Sequence, residues 1–169
     1  MKKFTFFLLL LLSVVIVAQE EINGRKEFLA VHNGEKHGNA VVYTNIGDLR
    51  HAQWELRKRS NGLYNIFTKT KEGDIEYLAV HNGEKHGNAV VYTNIGDLRH
   101  AQWELRKRSN GLYNIFTKTK EGDTEYLAVH NGEKHGNVVV YTNIGDLRHA
   151  QWELRERSNG LYNIITKTK

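Results

Sequence analysis

EYLAVHNGEKHGNAVVYTNIGDLRHAQWELRKRSNGLYNIFTKTKEGDT, residues 76–124, is written three times in this chain. Residues 27–75 differ from it at two positions, Phe28/Tyr77 and Ile75/Thr124. Residues 125–169 differ from the matching part at three, Ala89/Val138, Lys107/Glu156 and Phe116/Ile165. A period of 49 residues marks each copy as one supersecondary unit that shares a core with its neighbours. Any site built inside a unit is therefore expected three times.

Within one copy, four short apolar stretches alternate with turn residues. They are residues 28–31, ended by His32-Asn33-Gly34; 39–44; 53–57, around Trp54 and Leu56; and 63–68, introduced by Ser60-Asn61-Gly62. Asn-Gly pairs supply the positive φ that tight hairpins need. No stretch holds a 3.6-residue apolar period long enough for a helix. Alternation along each strand nominates Leu29 and Val31, Val41 and Tyr43, Trp54 and Leu56, and Tyr64 and Ile66 as the inward side chains.

Twelve strands in three units are too few blades for a propeller, and a sheet with long open edges invites aggregation. The closure that fits is all-β: a β-trefoil, with a six-stranded barrel, three capping hairpins and a pseudo-threefold axis. The expected organisation is a signal peptide at 1–18, a polar lead-in at 19–26 and one trefoil domain at 27–169. Lys2 and Lys3, the apolar run 4–17 and the small residue Ala18 carry the first assignment, and the run is shorter than the ~20 residues of a membrane span. The chain is thus expected to be secreted, with no membrane span after cleavage, and monomeric.

Composition narrows the function. Without Lys2 and Lys3, 22 basic residues face 19 acidic ones, both signs mixed through each copy. This is not the concentrated basic face of a nucleic-acid binder, so no nucleic acid is expected as partner. There is no cysteine, so packing replaces the disulfides common in small secreted domains. There is no proline either, which leaves the turns to Gly and Asn.

Tyr77-Leu78-Ala79-Val80, Gly87-Asn88-Ala89-Val90, Gln102-Trp103-Glu104-Leu105 and Gly111-Leu112-Tyr113-Asn114-Ile115 together resemble the ricin-B-type β-trefoil lectins, in all three copies. The resemblance implies a sugar-binding trefoil. The family's Asp after strand one, aromatic after strand two and Asn before Gln-x-Trp correspond here to His32, Thr44 and His51, and Gln53 directly precedes Trp54. Any sugar is therefore held by other groups than in those lectins. His51-Ala52-Gln53-Trp54-Glu55-Leu56 with Leu63-Tyr64-Asn65-Ile66 is similar to the trefoil domain of the small haemolymph lipoproteins of moths, which implies a body-fluid storage or carrier role.

The loop between the second and third strands is the candidate ligand site, joined by the first turn. Its residues are Asn33, Asn45, Asp48 and His51, then Asn82, Asn94, Asp97 and His100, then Asn131, Asn143, Asp146 and His149. Asn45 and Asp48 accept from sugar hydroxyls, and Arg50 and His51 donate to them. An ordinary loop with Asx-turns is the plain alternative. The nine histidines invite a threefold metal tripod, against which stands simple turn capping. Asp48, His51 and Ser60 form no nucleophile motif, so the chain reads as non-enzymatic, with no cofactor or metal. The expectation is a lectin-like protein with up to three equivalent weak sites for glycans. A storage or carrier protein and a trefoil protease inhibitor are the rivals.

Overall fold

A computed structural model of the chain describes residues 24–169; the expected signal peptide and most of the lead-in lie outside them. Among the described residues every regular element is a strand or a three-residue 3-10 turn. Copy one supplies β1 (Arg25–Val31), β2 (Ala40–Tyr43), β3 (Glu55–Lys58) and β4 (Tyr64–Lys69). Copy two supplies β5 (Ile75–Val80), β6 (Ala89–Tyr92), β7 (Trp103–Lys107) and β8 (Tyr113–Lys118). Copy three supplies β9 (Thr124–Val129), β10 (Val138–Tyr141), β11 (Glu153–Glu156) and β12 (Tyr162–Thr168). Strand one of each copy begins two residues or one residue before the repeat boundary, because the backbone of Arg25, Ile75 and Thr124 pairs with Thr168, Lys69 and Lys118.

The strands form two sheets. One runs β11-β12-β1-β2; the other runs β10-β9-β8-β7-β4-β5-β6, with β3 also paired to β4. β12 and β1, the last and first strands, pair in antiparallel register from Arg25↔Thr168 to Phe28↔Ile165. Strand four of each copy thus pairs with strand one of the next, and the chain closes on itself. Two further sets of bridges recur around the closure: Asn39↔Val90, Asn88↔Val139 and Val41↔Asn137 at one level, and Tyr64↔Trp103, Tyr113↔Trp152 and Trp54↔Tyr162 at another.

One central cluster holds Leu29, Val31, Ala40, Val42, Trp54 and Ile66 with their counterparts in the other copies. All three tryptophans are 0 % exposed. A buried indole N–H must find an acceptor, and here Trp54, Trp103 and Trp152 donate to the carbonyls of Leu29, Leu78 and Leu127 at 2.9, 2.8 and 2.9 Å.

Strand two departs from the expected facing. Ala40 and Val42, not Val41 and Tyr43, enter the central cluster. Both faces of Ala-Val-Val-Tyr are apolar, so alternation carries no signal there; pairing with β1 decides, since Val42 lies opposite Leu29 and Ala40 opposite Val31. Tyr43 packs instead in a satellite cluster with Ala30, Ile46, Ala52 and Phe28. Tyr64 is likewise only half-buried, while Asn65 and Ile66 are buried.

Candidate functional site

In copy three, Asn131, Tyr141, Asn143, Leu147, His149 and Lys169 line one open depression of about 640 Å³. The depression grows from local chain geometry. Strand one ends in His-Asn-Gly, where Asn131 and Gly132 both take positive φ, 51° and 67°. Asn and Gly tolerate this region best. The reversal carries the chain back, so that His130 N–H donates to the Asn137 carbonyl at 2.8 Å and strand two begins.

The histidine of the Arg-His-Ala turn seats its ring directly on that glycine. A Cβ on Gly34, Gly83 or Gly132 would lie 2.6, 2.6 and 2.7 Å from Nδ1 of His51, His100 and His149. The lysine after strand four completes the frame: the backbone N–H groups of Lys71, Lys120 and Lys169 donate to the carbonyls of those glycines at 3.2, 3.2 and 2.9 Å. Burial, and secondarily the nearby ammonium of Lys71, Lys120 or Lys169, pushes each of the three imidazoles below its ordinary pKa. The floor of the frame is thus a neutral imidazole, with one donor and one acceptor nitrogen.

Leu147 is 44 % exposed at the rim, as Leu49 and Leu98 nearly match in their copies. Tyr141 also lines the depression, its hydroxyl 2.9 Å from His130 Nδ1. The depression therefore pairs an apolar rim with amides, an imidazole and an ammonium. Tyr43, Leu49 and Lys71 and their equivalents had no part in the sequence-based site. The one available signal was a leucine set between Asp48 and Arg50 in an otherwise polar loop.

The remaining nominated residues are placed as follows. Asn33, Asn82 and Asn131 donate from Nδ2 to Glu35, Glu84 and Glu133 at 3.3, 3.3 and 3.4 Å. Asn45, Asn94 and Asn143 close Asx-turns, accepting from the backbone N–H of Gly47, Gly96 and Gly145 at 3.2 Å each. Asp48, Asp97 and Asp146 point away toward the preceding copy, where Arg157, Arg59 and Arg108 donate to them at 2.8, 2.6 and 2.6 Å. Asn131, Asn143 and His149 line the copy-three depression, while Asp146 lines an adjoining one of about 510 Å³ that shares Leu147, His149 and Lys169 with it. The aspartates serve instead with Asn61–Gln102, Asn110–Gln151 and Asn159–Gln53 hydrogen bonds to lash each loop to its neighbour.

The other six histidines lie at separate places. His32, His81 and His130 meet the hydroxyls of Tyr43, Tyr92 and Tyr141 at 3.2, 3.0 and 2.9 Å. His37, His86 and His135 sit at the three junctions, their rings 3.1, 2.8 and 3.1 Å from the hydroxyls of Thr93, Thr142 and Thr44. Their backbone N–H groups donate to the fully buried carboxylates of Glu76, Glu125 and Glu27. Burial raises the Glu76 carboxyl above its ordinary value, opposed by the His37 backbone hydrogen bond.

The chain matches no family model and no curated protein sequence. It is similar in fold to solved toxins. A mosquitocidal holotoxin aligns over 86 % of this chain with TM-score 0.57 and 16 % identity. The match spans 17 % of that toxin's length. The cytolethal distending toxin from Actinobacillus actinomycetemcomitans aligns over 85 % of this chain and 90 % of its own, with TM-score 0.51 and 13 % identity. At these identities the likeness is one of all-β fold. It nevertheless corrects one expectation: the reading of the chain as non-enzymatic does not stand beside neighbours that are toxins. That reading rested on missing sequence motifs, and neither motif absence nor fold determines activity.

Proposed function

We propose that the chain is a secreted, lectin-like β-trefoil protein that binds glycans through the Asn131–Asn143–His149 depression and its counterparts in the other copies. The observation that carries this is the convergence of Asn131, Asn143 and His149 on one open depression beside Tyr141 and the exposed Leu147. Sugars present hydroxyls at their edges and C–H faces between them. A site with a few convergent polar groups and an apolar wall suits that chemistry. The cyclic pairing of strand four with the next strand one supports the trefoil, as do the two rings of bridges.

The recurrence of the Gly34–His51–Lys71 frame in every copy supports three equivalent sites. Shallow sites bind single sugars weakly, and rigid linkage of several raises avidity by about 10²–10⁴ on a repetitive ligand. The test is retention of the protein on beads coated with a panel of glycans and cell-wall polysaccharides. Retention is expected on at least one and is expected to be lost in a triple Asn33→Ala, Asn82→Ala, Asn131→Ala variant. No retention across the panel overturns the proposal.

A further inference from the structure

Away from the depression just described, clefts open where one copy meets the next. The cleft where copy three meets copy one holds about 370 Å³ and is lined by Arg50, Gln53, Glu55, Phe67, Thr68, Lys69 and Leu161. Its counterpart between copies two and three holds about 210 Å³, with Lys26, Leu112, Glu153, Ile165 and Lys167 among its lining residues. Small-molecule pockets occupy about 300–1,000 Å³, a range that only the first of these reaches.

The first cleft has an apolar base and two available cations. Phe67, 3 % exposed, lies against Tyr77 with ring centroids 5.1 Å apart, and the Arg57 guanidinium covers its ring at 4.6 Å, leaving the ring edge toward the cleft. Lys69 is paired across the strands with Ile75, an exposed apolar side chain on the same face. Leu161 forms the facing wall. Among the described residues neither the Arg50 guanidinium nor the Lys69 ammonium has a hydrogen-bond or ion-pair partner. The one carboxylate present, Glu55, is already engaged by Arg57 at 3.0 Å, so it does not neutralise them.

The copies differ from one another at this spot. Opposite the equivalent lysine of copy two stands Thr124 in place of Ile75, and Lys118 Nζ donates to the Thr124 hydroxyl. One of the three donors of that ammonium is thereby used, and the apolar rim that Ile75 supplies is replaced by a hydroxyl. In copy three the base is Ile165 in place of Phe67, and Lys26 stands opposite Lys167. Lys26 also approaches Glu153 to 3.9 Å. Only the junction of copies three and one combines an aromatic base, an apolar rim and an unengaged lysine.

We propose that the Arg50–Phe67–Lys69–Leu161 cleft binds one small organic anion with an apolar body, and that the other two junctions do not. The anionic group meets Arg50 and Lys69, while the body lies against Phe67, Ile75 and Leu161. This asymmetry is invisible to the repeat, which makes every copy look equivalent. Phe67, Lys69 and Leu161 have no counterpart among the residues lining the Asn131–His149 depression, whereas Arg50 stands between Leu49 and His51 in copy one.

The probe is 8-anilinonaphthalene-1-sulfonate, followed by fluorescence titration of the full chain under native conditions. One saturable site per chain is expected. Removing one charge-assisted contact by Lys69→Gln or Arg50→Gln weakens binding by about tenfold. Ile75→Thr also weakens binding, by replacing the apolar rim beside Lys69 with a hydroxyl. Conversely, Thr124→Ile restores an apolar rim beside Lys118 and Phe116 and raises the stoichiometry to two. The uncharged N-phenyl-1-naphthylamine is insensitive to Lys69→Gln. Glycan retention is unchanged in the Lys69, Ile75 and Thr124 variants. The proposal is overturned by absence of saturable binding, by Lys118→Gln weakening the sulfonate as much as Lys69→Gln, or by equal losses for the charged and uncharged probes.

Discussion

Gly34→Ala probes the contact on which the depression is built. Two costs add at this position. Gly34 has φ +67°, and a residue with a Cβ pays about 1–2 kcal/mol there. The new methyl also falls 2.6 Å from Nδ1, 3.0 Å from Cγ and 3.2 Å from Cε1 of His51, against the ring rather than a flexible tip. Overpacking of this kind costs about 1–3 kcal/mol. The total is about 2–5 kcal/mol, and a loss of 3 kcal/mol lowers Tm by about 6–12 °C in a domain of this size.

Gly47→Ala is the matched control, because Gly47 also has positive φ, +47°, but nothing lies within 4 Å of its Cβ position. It carries the conformational cost alone, about 1–2 kcal/mol. Urea unfolding of both variants measures the difference. In a His51→Ala background the clash is gone, and Gly34→Ala is expected to cost no more than Gly47→Ala. Equal costs for the two glycine variants in the native background, within about 0.5 kcal/mol, refute the seating of the imidazole on the turn.

Three more outcomes follow from the same geometry. Trp54→Phe leaves the buried Leu29 carbonyl without its 2.9 Å donor and is expected to cost about 1–3 kcal/mol by urea unfolding; an unchanged midpoint contradicts the inward indole. Asp97→Ala removes a carboxylate that is 92 % exposed although it pairs with Arg59 at 2.6 Å, so a loss of at most about 1 kcal/mol is expected; more than twice that would show the lashing between copies to be stronger than a surface ion pair. Stability is expected to fall as pH drops below about 6.5. There the unfolded chain protonates His51, His100 and His149 while the folded chain resists, so the contribution is full above the unfolded pKa and lost as pH falls through the lowered folded values. Glu76, raised by burial, acts in the opposite sense, as one carboxyl against three imidazoles. Urea midpoints that hold steady or rise from pH 7 to pH 5 would contradict this.

Much of the architecture was legible because the repeat states each instruction three times. Asn33-Gly34, Trp54 and the runs of β-branched residues specify turns, a buried anchor and strands by local chemistry alone. Strand two was misread because Ala40, Val41, Val42 and Tyr43 are apolar on both faces, and a period of two has no phase when every position is apolar. The composition of the candidate depression was legible in part. Asn131, Asn143 and His149 share the depression, and polarity in a loop was enough to nominate them. Asp146 was nominated on the same ground, yet its partner Arg108 belongs to the copy before it.

That division holds throughout the molecule. Composition and spacing alone settle what one copy does with itself: its strands, its turns, its tryptophan and the polarity of its loops, all of which depend on neighbours a few residues away. Only the folded chain decides what lies between copies. There Arg157 meets Asp48, and Glu27 receives the His135 N–H. Those contacts join residues 109 and 108 positions apart, and a distance of that kind is set by closure of the sheet, not by any local preference of the chain.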